Sequence, residues 1–452
     1  MLVQRLNEIG QDHIARLLEK RADFINAAAI EKDLAAMDHG LLKRLLAGEM
    51  LFKAPIGRIE PAQVMPVDTA ATPAGAHAAE LGREILSQGK LAVVVVAGGQ
   101  GSRLGISGPK GIVPVSPVKG KSLFQIHAEK ILALHRRYGG SIPFFIMTSR
   151  DNDAETRSFF NAHAYFGLDR EDVFFFMQGM LPSVSSEGRF LLDQSGGLFM
   201  NPDGHGGTLR ALKESGALTA MRSRGIEEIF YFQVDNPLVG VADPLFIGLH
   251  HQAGAQMSSK VCRKRDFGEK VGVIALVGGR TTVIEYSDMP DDMRYAVDAQ
   301  GQMVYWAGSI AIHMLRLDFV ERLTAGGVSL PFHRAAKKIP ALDEQGRPAE
   351  IEGIKFETFI FDALRFAEVS VTLEVRREEE FAPVKNMSGE DSLASCRAML
   401  SALHRSWLEG AGITVGEGVA VEISPLLALT RQDVARCARN LPREICHDVY
   451  CE

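Results

Sequence analysis

Apolar residues recur along the chain in two rhythms, and the rhythm changes near residue 90. Before that point the spacing is helical. Leu6, Ile9, Leu17 and Leu18, then Leu41, Leu42, Leu45 and Leu46, each fall on one face of a 3.6-residue period. Residues 54–76 interrupt it with four prolines and many alanines, which predicts a connector running over the surface. A short helix is expected over residues 78–87. Beyond it, brief continuous apolar runs alternate with amphipathic stretches. The runs at 91–97, 144–148, 173–177 and 229–234 are too short for helices and rich in β-branched or aromatic residues, so they read as buried strands. Residues 122–138 and 153–166 read as helices between them, and a further helix is expected over 391–409. Repeated βα units of this kind predict an α/β protein with a doubly wound sheet, whose ligands bind at the carboxyl ends of the strands.

Composition narrows the function classes. The chain has 452 residues, enough for a large core with one or two smaller parts. A net charge of −6 favours neither nucleic acid nor an anionic membrane as partner. No apolar run approaches the ~20 residues of a membrane span. The five cysteines are scattered and read as free thiols of a reducing, cytoplasmic setting. Cys446, His447 and Cys451 match no standard zinc spacing.

The densest chemistry follows the first strand, in LAVVVVAGGQGSRLGISGPKG. A glycine-rich turn lets backbone N–H groups approach a ligand closely, and Arg103 and Lys110 set among the glycines can neutralise phosphate. A P-loop is excluded, because Val115 stands where GxxxxGK[ST] needs its first glycine before Gly120-Lys121-Ser122. A dinucleotide fingerprint is excluded as well, because Leu104 takes the place of the third glycine. That argues against a nicotinamide oxidoreductase.

AGGQGSRLG followed by PKG resembles the signature of the eukaryotic-type UDP-sugar pyrophosphorylases, most closely their UDP-N-acetylhexosamine branch. Further motifs follow in family order after the expected strands: QGMLP at Gln178, PDGHGG at Pro202, VDN ending the 229–234 strand, VGV at Val271, EYS at Glu285, GIKFE at Gly353 and FAPVKN at Phe381. Near the start, Gly10-Gln11-Asp12-His13 is similar to the family's GQ-H element, with His13 read as a packing residue. The resemblance spans about residues 6–426. It implies a Rossmann-like, GT-A-like nucleotidyltransferase core over 89–385, a helical N-terminal region and connector over 1–88, and a short C-terminal domain over 386–452.

The resemblance also implies roles. Ala97, Gly98 and Gly99 would bind the nucleoside, Gln178 would read the uracil edge, and Gly204 would pack on the uridine. Arg103 and Lys110 would hold the phosphates, Asp235 a Mg²⁺ ion, and Lys385 the α-phosphate. His205, Gly272, Glu285, Ser309 and Lys355 would serve the sugar phosphate. The substrates implied are UTP and a sugar 1-phosphate, the products a UDP-sugar and pyrophosphate, and the assembly a monomer or weak homo-oligomer. Two departures bear on the sugar. His205 replaces the asparagine typical of the N-acetylhexosamine branch, and AGSIAIH at Ala307 replaces GNICNH, so that Ser309 and Ile312 stand for asparagines. The expected product is UDP-N-acetylglucosamine, with glucose 1-phosphate or a broad sugar range as the alternative. A non-catalytic nucleotide-sugar sensor is a remote one.

Overall fold

Leu91, Ala92, Val93, Val94 and Val95 are fully buried, as a continuous apolar strand covered on both faces must be. In the computed structural model, which describes residues 2–20, 24–53, 57–325 and 330–452, this strand is central to a mixed ten-stranded sheet. Its strands are β1 (Ile59–Pro61), β2 (Leu91–Val96), β3 (Phe144–Thr148), β4 (Val173–Met177), β5 (Glu228–Gln233), β6 (Met257–Arg263), β7 (Val273–Val277), β8 (Arg280–Ile284), β9 (Ala307–Arg316) and β10 (Thr372–Glu374). Their order is β1-β7-β9-β5-β2-β3-β4, with β8 beside β7, β6 beside β9, and β10 beside β6. The four strands β5, β2, β3 and β4 are mutually parallel, and β9 runs antiparallel to its neighbours.

The chain forms two compact units. One gathers Met1–Pro55, Gln178–Ala211 and Gly327–Asp362; the other gathers Ile56–Met177, Leu212–Gly326 and Ala363–Glu452. The segment expected as a single core, 89–385, is therefore divided between them. The physical reason lies in the N-terminal helices. Their apolar stripes, with Leu6, Ile14, Ile30, Leu41 and Leu45, need cover. They find it on Leu181, Val184, Phe190, Phe332, Leu342 and Phe356, which come from later segments. Gln11 fixes the docking: its amide accepts from Phe190 N–H at 2.7 Å and donates to Gly188 O at 3.2 Å. His13 bonds Phe190 O at 2.9 Å, the packing role expected of it. A long hairpin, Phe332–Leu342 with Pro348–Thr358, completes this unit.

In the second unit, Leu123–Tyr138 packs on the sheet behind an N-cap, Ser122, and ends at a left-handed Gly139. Leu393–Gly410 starts with a Ser392/Ser395 capping box and adds Cys396, Leu400 and Leu403 to the sheet's core. The last residues build a small core of their own around Leu408, Val421, Ile423, Val434 and Ile445. Two local expectations are corrected. The helix expected over 153–166 stops at Ala162, because Tyr165 and Phe166 take left-handed backbone angles and turn the chain. The connector is more than a surface run: Ile59–Pro61 adds an antiparallel edge strand to β7, and the next helix starts at Pro73, capped by Thr72. Residues 54–56 of it lie outside the described residues.

Candidate active site

Parallel pairing of β2 with β5 sets Val96 opposite Gln233, so both strands deliver their following loops at one level. The loop after β2 is closed by its own backbone. Gly101 N–H donates to Gly108 O at 2.8 Å and Lys110 N–H to Gly99 O at 3.0 Å. Asn152, fully buried, donates its amide to Ala97 O at 2.9 Å and to Gly99 O at 3.4 Å. Ala97, Gly98 and Gly99 are thereby held as a preformed turn. Arg103 stands exposed on it.

Asp235 lies two residues beyond β5, and its Oδ2 is 3.3 Å from Lys110 Nζ. Both side chains are mostly covered, at 20% exposure for Lys110 and 12% for Asp235, so their attraction is screened less than that of a surface pair. His127 lies beneath, bonded to Val234 O at 2.9 Å, and burial pushes its imidazole down to about 3, so it is neutral. The site fits a hard cation that takes part of its shell from substrate. Asp235 offers one carboxylate, and among the described residues no three His, Cys, Asp or Glu side chains form a cage.

The segment carrying Lys385 is tied to the same strand end. Val384 N–H donates to Asp235 O at 2.9 Å, and the Asn236 amide bonds Glu380 O and Ala382 N–H. Lys385 itself is exposed, its Nζ 5.6 Å from the Phe381 ring centre. Beneath it, fully buried Lys260 bridges Asp243 at 2.9 Å and Glu380 at 2.6 Å. Burial opposes the charge on Lys260, but the two carboxylates outweigh it and hold the ammonium above its ordinary range. Lys130 donates to Pro237 O and Val239 O, and burial draws its amine down to about 8.

The three residues implied for the sugar in this unit come together. A methyl group on Gly272 would lie 3.1 Å from Glu285 Oε1, and Ser309 N–H donates to Gly272 O at 2.8 Å. Ser309 precedes a bulge in β9 at which Ala311 takes φ +55°, and Ile310 and Ile312 turn into the core. Ile312, standing for an asparagine, is thus a core residue here.

In the other unit, Gln178 is buried, and Gly179 O accepts from Asp203 N–H at 3.0 Å. Strands Met180–Pro182 and Met200–Pro202 pair, which brings the Gln178 and Gly204 segments side by side. Asp203 O accepts from both the N–H and the hydroxyl of Thr358. His205 accepts from Ile360 N–H through Nδ1 at 3.2 Å, which leaves its proton on Nε2. Its ring stacks on Phe359 at 5.3 Å, and burial, with His333 nearby, pushes it down to about 4. Lys355 lies on the hairpin over the Phe199 ring at 5.6 Å, its pKa lowered by burial and by Lys337.

Lys121, the lysine of the rejected P-loop ending, is buried against Glu129 at 2.6 Å and bonded to the Tyr450 hydroxyl. The side chains that sequence reasoning missed are the supporting ones: Asn152, Asn236, Lys260 and Glu380. Asn236 had a signal, since it belongs to the VDN motif. Lys260 had none, because a lysine inside a strand reads as an exposed one.

The sheet, the backbone-closed loop and the lysine–aspartate pair together describe a nucleotidyltransferase-type α/β chain. The sequence model of the UTP–glucose-1-phosphate uridylyltransferase family matches residues 48–437, and the chain belongs to that family. It is 36% identical over 467 residues to UDP-N-acetylglucosamine diphosphorylase 1 of Arabidopsis thaliana, covering 97% of this chain and 91% of the relative. It is 40% identical over 369 residues to UDP-N-acetylglucosamine pyrophosphorylase of Saccharomyces cerevisiae, covering 79% and 77%. A crystal structure of the UDP-N-acetylglucosamine pyrophosphorylase of Trypanosoma brucei, in complex with inhibitor, superposes with a TM-score of 0.82 at 28% identity, covering 100% of this chain and 97% of that one.

Proposed function

We propose that this chain is a UTP-dependent sugar-1-phosphate uridylyltransferase that forms UDP-N-acetylglucosamine and pyrophosphate. The observation that carries the reading is the Lys110–Asp235 pair at the ends of two adjacent parallel strands, beside a loop whose backbone is already closed. A phosphate oxygen of the sugar phosphate attacks the α-phosphorus of UTP, and the bond from that phosphorus to the bridging oxygen breaks as pyrophosphate leaves. The nucleophile is ionised at pH 7 and needs no base. The protein's share is therefore positioning and charge stabilisation.

Arg103 and Lys110 hold the leaving pyrophosphate, Lys385 the α-phosphoryl group and Lys355 the attacking phosphate. Ala97, Gly98, Gly99, Gln178 and Gly204 serve the nucleoside. Asp235 would hold Mg²⁺, which when bound neutralises phosphate charge. Gly272, Glu285 and Ser309 serve the sugar, with the Nε2–H of His205 as a donor toward it. A second reading, glucose 1-phosphate, is favoured by one observation: the short Ser309, whose N–H bonds Gly272 O, stands for an asparagine, and Ile312 is withdrawn into the core.

Pyrophosphate release from UTP and Mg²⁺ with GlcNAc-1-phosphate, GalNAc-1-phosphate and glucose 1-phosphate tests both. Preference for the acetylated sugars is expected. Preference for glucose 1-phosphate would select the second reading, and no release with any of the three would overturn the activity.

A further inference from the structure

The segment 376–391 is fastened to the sheet through Glu380, Ala382 and Val384, and the side chain of Lys385 that follows them is exposed. Asn236, 4% exposed, donates through Nδ2 to Glu380 O at 2.7 Å and accepts through Oδ1 from Ala382 N–H at 3.0 Å. It adjoins Asp235, whose carbonyl accepts from Val384 N–H at 2.9 Å. The Glu380 carboxylate is held from below by Lys260 Nζ at 2.6 Å and accepts from Gly240 N–H at 3.0 Å. On the far side, Lys385 N–H and Asn386 N–H both donate to Asp391 O, and Met387 Sδ lies 3.3 Å from where a methyl group on Gly105 would stand. The strap thus touches the glycine-rich loop at one end and the aspartate strand at the other.

Such fastening is more than folding requires of an exposed lysine. A buried lysine–carboxylate pair gives little net stability, and its best-attested use is to fix one arrangement among several. We infer that Asn236 is a positioning residue for the uridylyl transfer: its amide yokes the strap to the Asp235 strand, so that Lys385 is held at a fixed place relative to the Asp235 carboxylate. The buried Lys260–Glu380 pair is the second fastening of the same strap. This inference rests on the proposed activity and adds to it the residue through which Lys385 acts.

The test is a double-mutant cycle on the full chain, in steady-state kinetics with UTP, Mg²⁺ and the preferred sugar phosphate. Asn236→Ala alone is expected to lower kcat roughly 10- to 100-fold, with KM for UTP changed little, because misplacing a charge stabiliser costs transition-state binding. Asn236→Ala in a Lys385→Ala background is expected to lower kcat by no more than about twofold further, because the residue acts through the lysine. Multiplicative losses, or an Asn236→Ala enzyme with unchanged kcat, would overturn the inference.

Should Asn236→Ala fail to fold, Glu380→Gln reads the same point from the second fastening and leaves Asn236 in place. It too is expected to lose kcat in the wild-type background and little in the Lys385→Ala background, and independence from Lys385 there would overturn the inference equally. The two levels of failure separate cleanly. A wild type that releases no pyrophosphate overturns the proposed activity and this inference with it, whereas an active wild type with independent variants overturns this inference alone.

Discussion

At Gly99 an added methyl group would meet nothing within 4 Å; at Gly204 it would fall 2.4 Å from Thr358 O. Each glycine sits in a glycine-rich loop, one in each compact unit, and from sequence the two loops look alike. They use glycine differently. The loop after β2 is closed by bonds among its own residues and by Asn152, and its face at Gly99 is open. The Asp203–Gly207 loop is pressed onto Thr358 and Phe359. Gly206 would clash with Phe359 N at 2.6 Å, and Gly207 with the Asp203 carboxylate at 2.1 Å. Gly204 also takes φ +84°, which disfavours any side chain. In the first loop the space beside Gly99 is open. In the second, the side of Gly204 on which a side chain would stand is already filled by Thr358.

The largest expected effect follows from the filled loop. Gly204→Ala has to displace the Thr358 backbone and adopt a strained φ, so a loss of about 3 kcal/mol or more is expected. Urea unfolding followed by circular dichroism measures it. A variant as stable as wild type would mean that the two loops do not differ in the way their neighbours imply.

Lys110→Ala comes next and acts on the open loop. Its ammonium is the charge paired with Asp235, and its loss is expected to cut kcat/KM at least ~100-fold, as losing one transition-state charge stabiliser does. The fold should be little changed, because Lys110 is partly exposed. Near wild-type kinetics would remove it from the site.

A pH measurement compares the rings beneath the two regions. Burial pushes His127 down to about 3, whereas an unfolded histidine titrates near 6.5. Above 6.5 neither state binds the proton, and the native state keeps its full stability. As pH falls below 6.5 the unfolded chain takes up a proton that the folded ring refuses, so stability drops toward the folded value. Between pH 7 and 5 the share of His127 is about 2 kcal/mol. Replacing it with Gln should flatten the pH dependence of urea unfolding by that amount. His205, pushed down to about 4 but with a partly covered ring, is expected to show the same sign and a smaller share.

How much of this was legible in the sequence follows from how far apart in the chain each feature is written. Strands β3 and β4 match the apolar runs residue for residue, because a buried strand is a local pattern. That Lys110 and Asp235 each follow a strand was legible through motifs, but their direct pairing was not, because the two lie 125 residues apart. The division into units was not, because the cover for Leu6 or Leu41 comes from residues 181 and 332, and periodicity records that a face is apolar without saying what lies on it. The left-handed turn at Tyr165 and Phe166 was hidden for a related reason: neither residue type favours that conformation, and tertiary packing imposes it. Lys260 shows the limit most plainly, since its partners Asp243 and Glu380 lie 17 residues before and 120 after it.

The smallest effect on the fold is expected at Gly99, and it is the sharpest test of the comparison. Its φ is not positive, and the added methyl group has no neighbour within 4 Å, so Gly99→Ala should change stability by no more than about 0.5 kcal/mol. If the open face is where UTP lies, the methyl group occupies ligand space. KM for UTP should then rise roughly tenfold, which corresponds to ~1.4 kcal/mol of binding. Unfolding curves and steady-state kinetics on one preparation separate the two quantities. A stable variant with unchanged KM would mean that the open face of the first loop does not face the nucleotide, and the contrast between the two loops would then concern packing alone. A stable variant with weakened UTP binding, set beside a Gly204→Ala variant that loses stability, would show that a side chain is kept out by ligand space in one loop and by the protein's own backbone in the other.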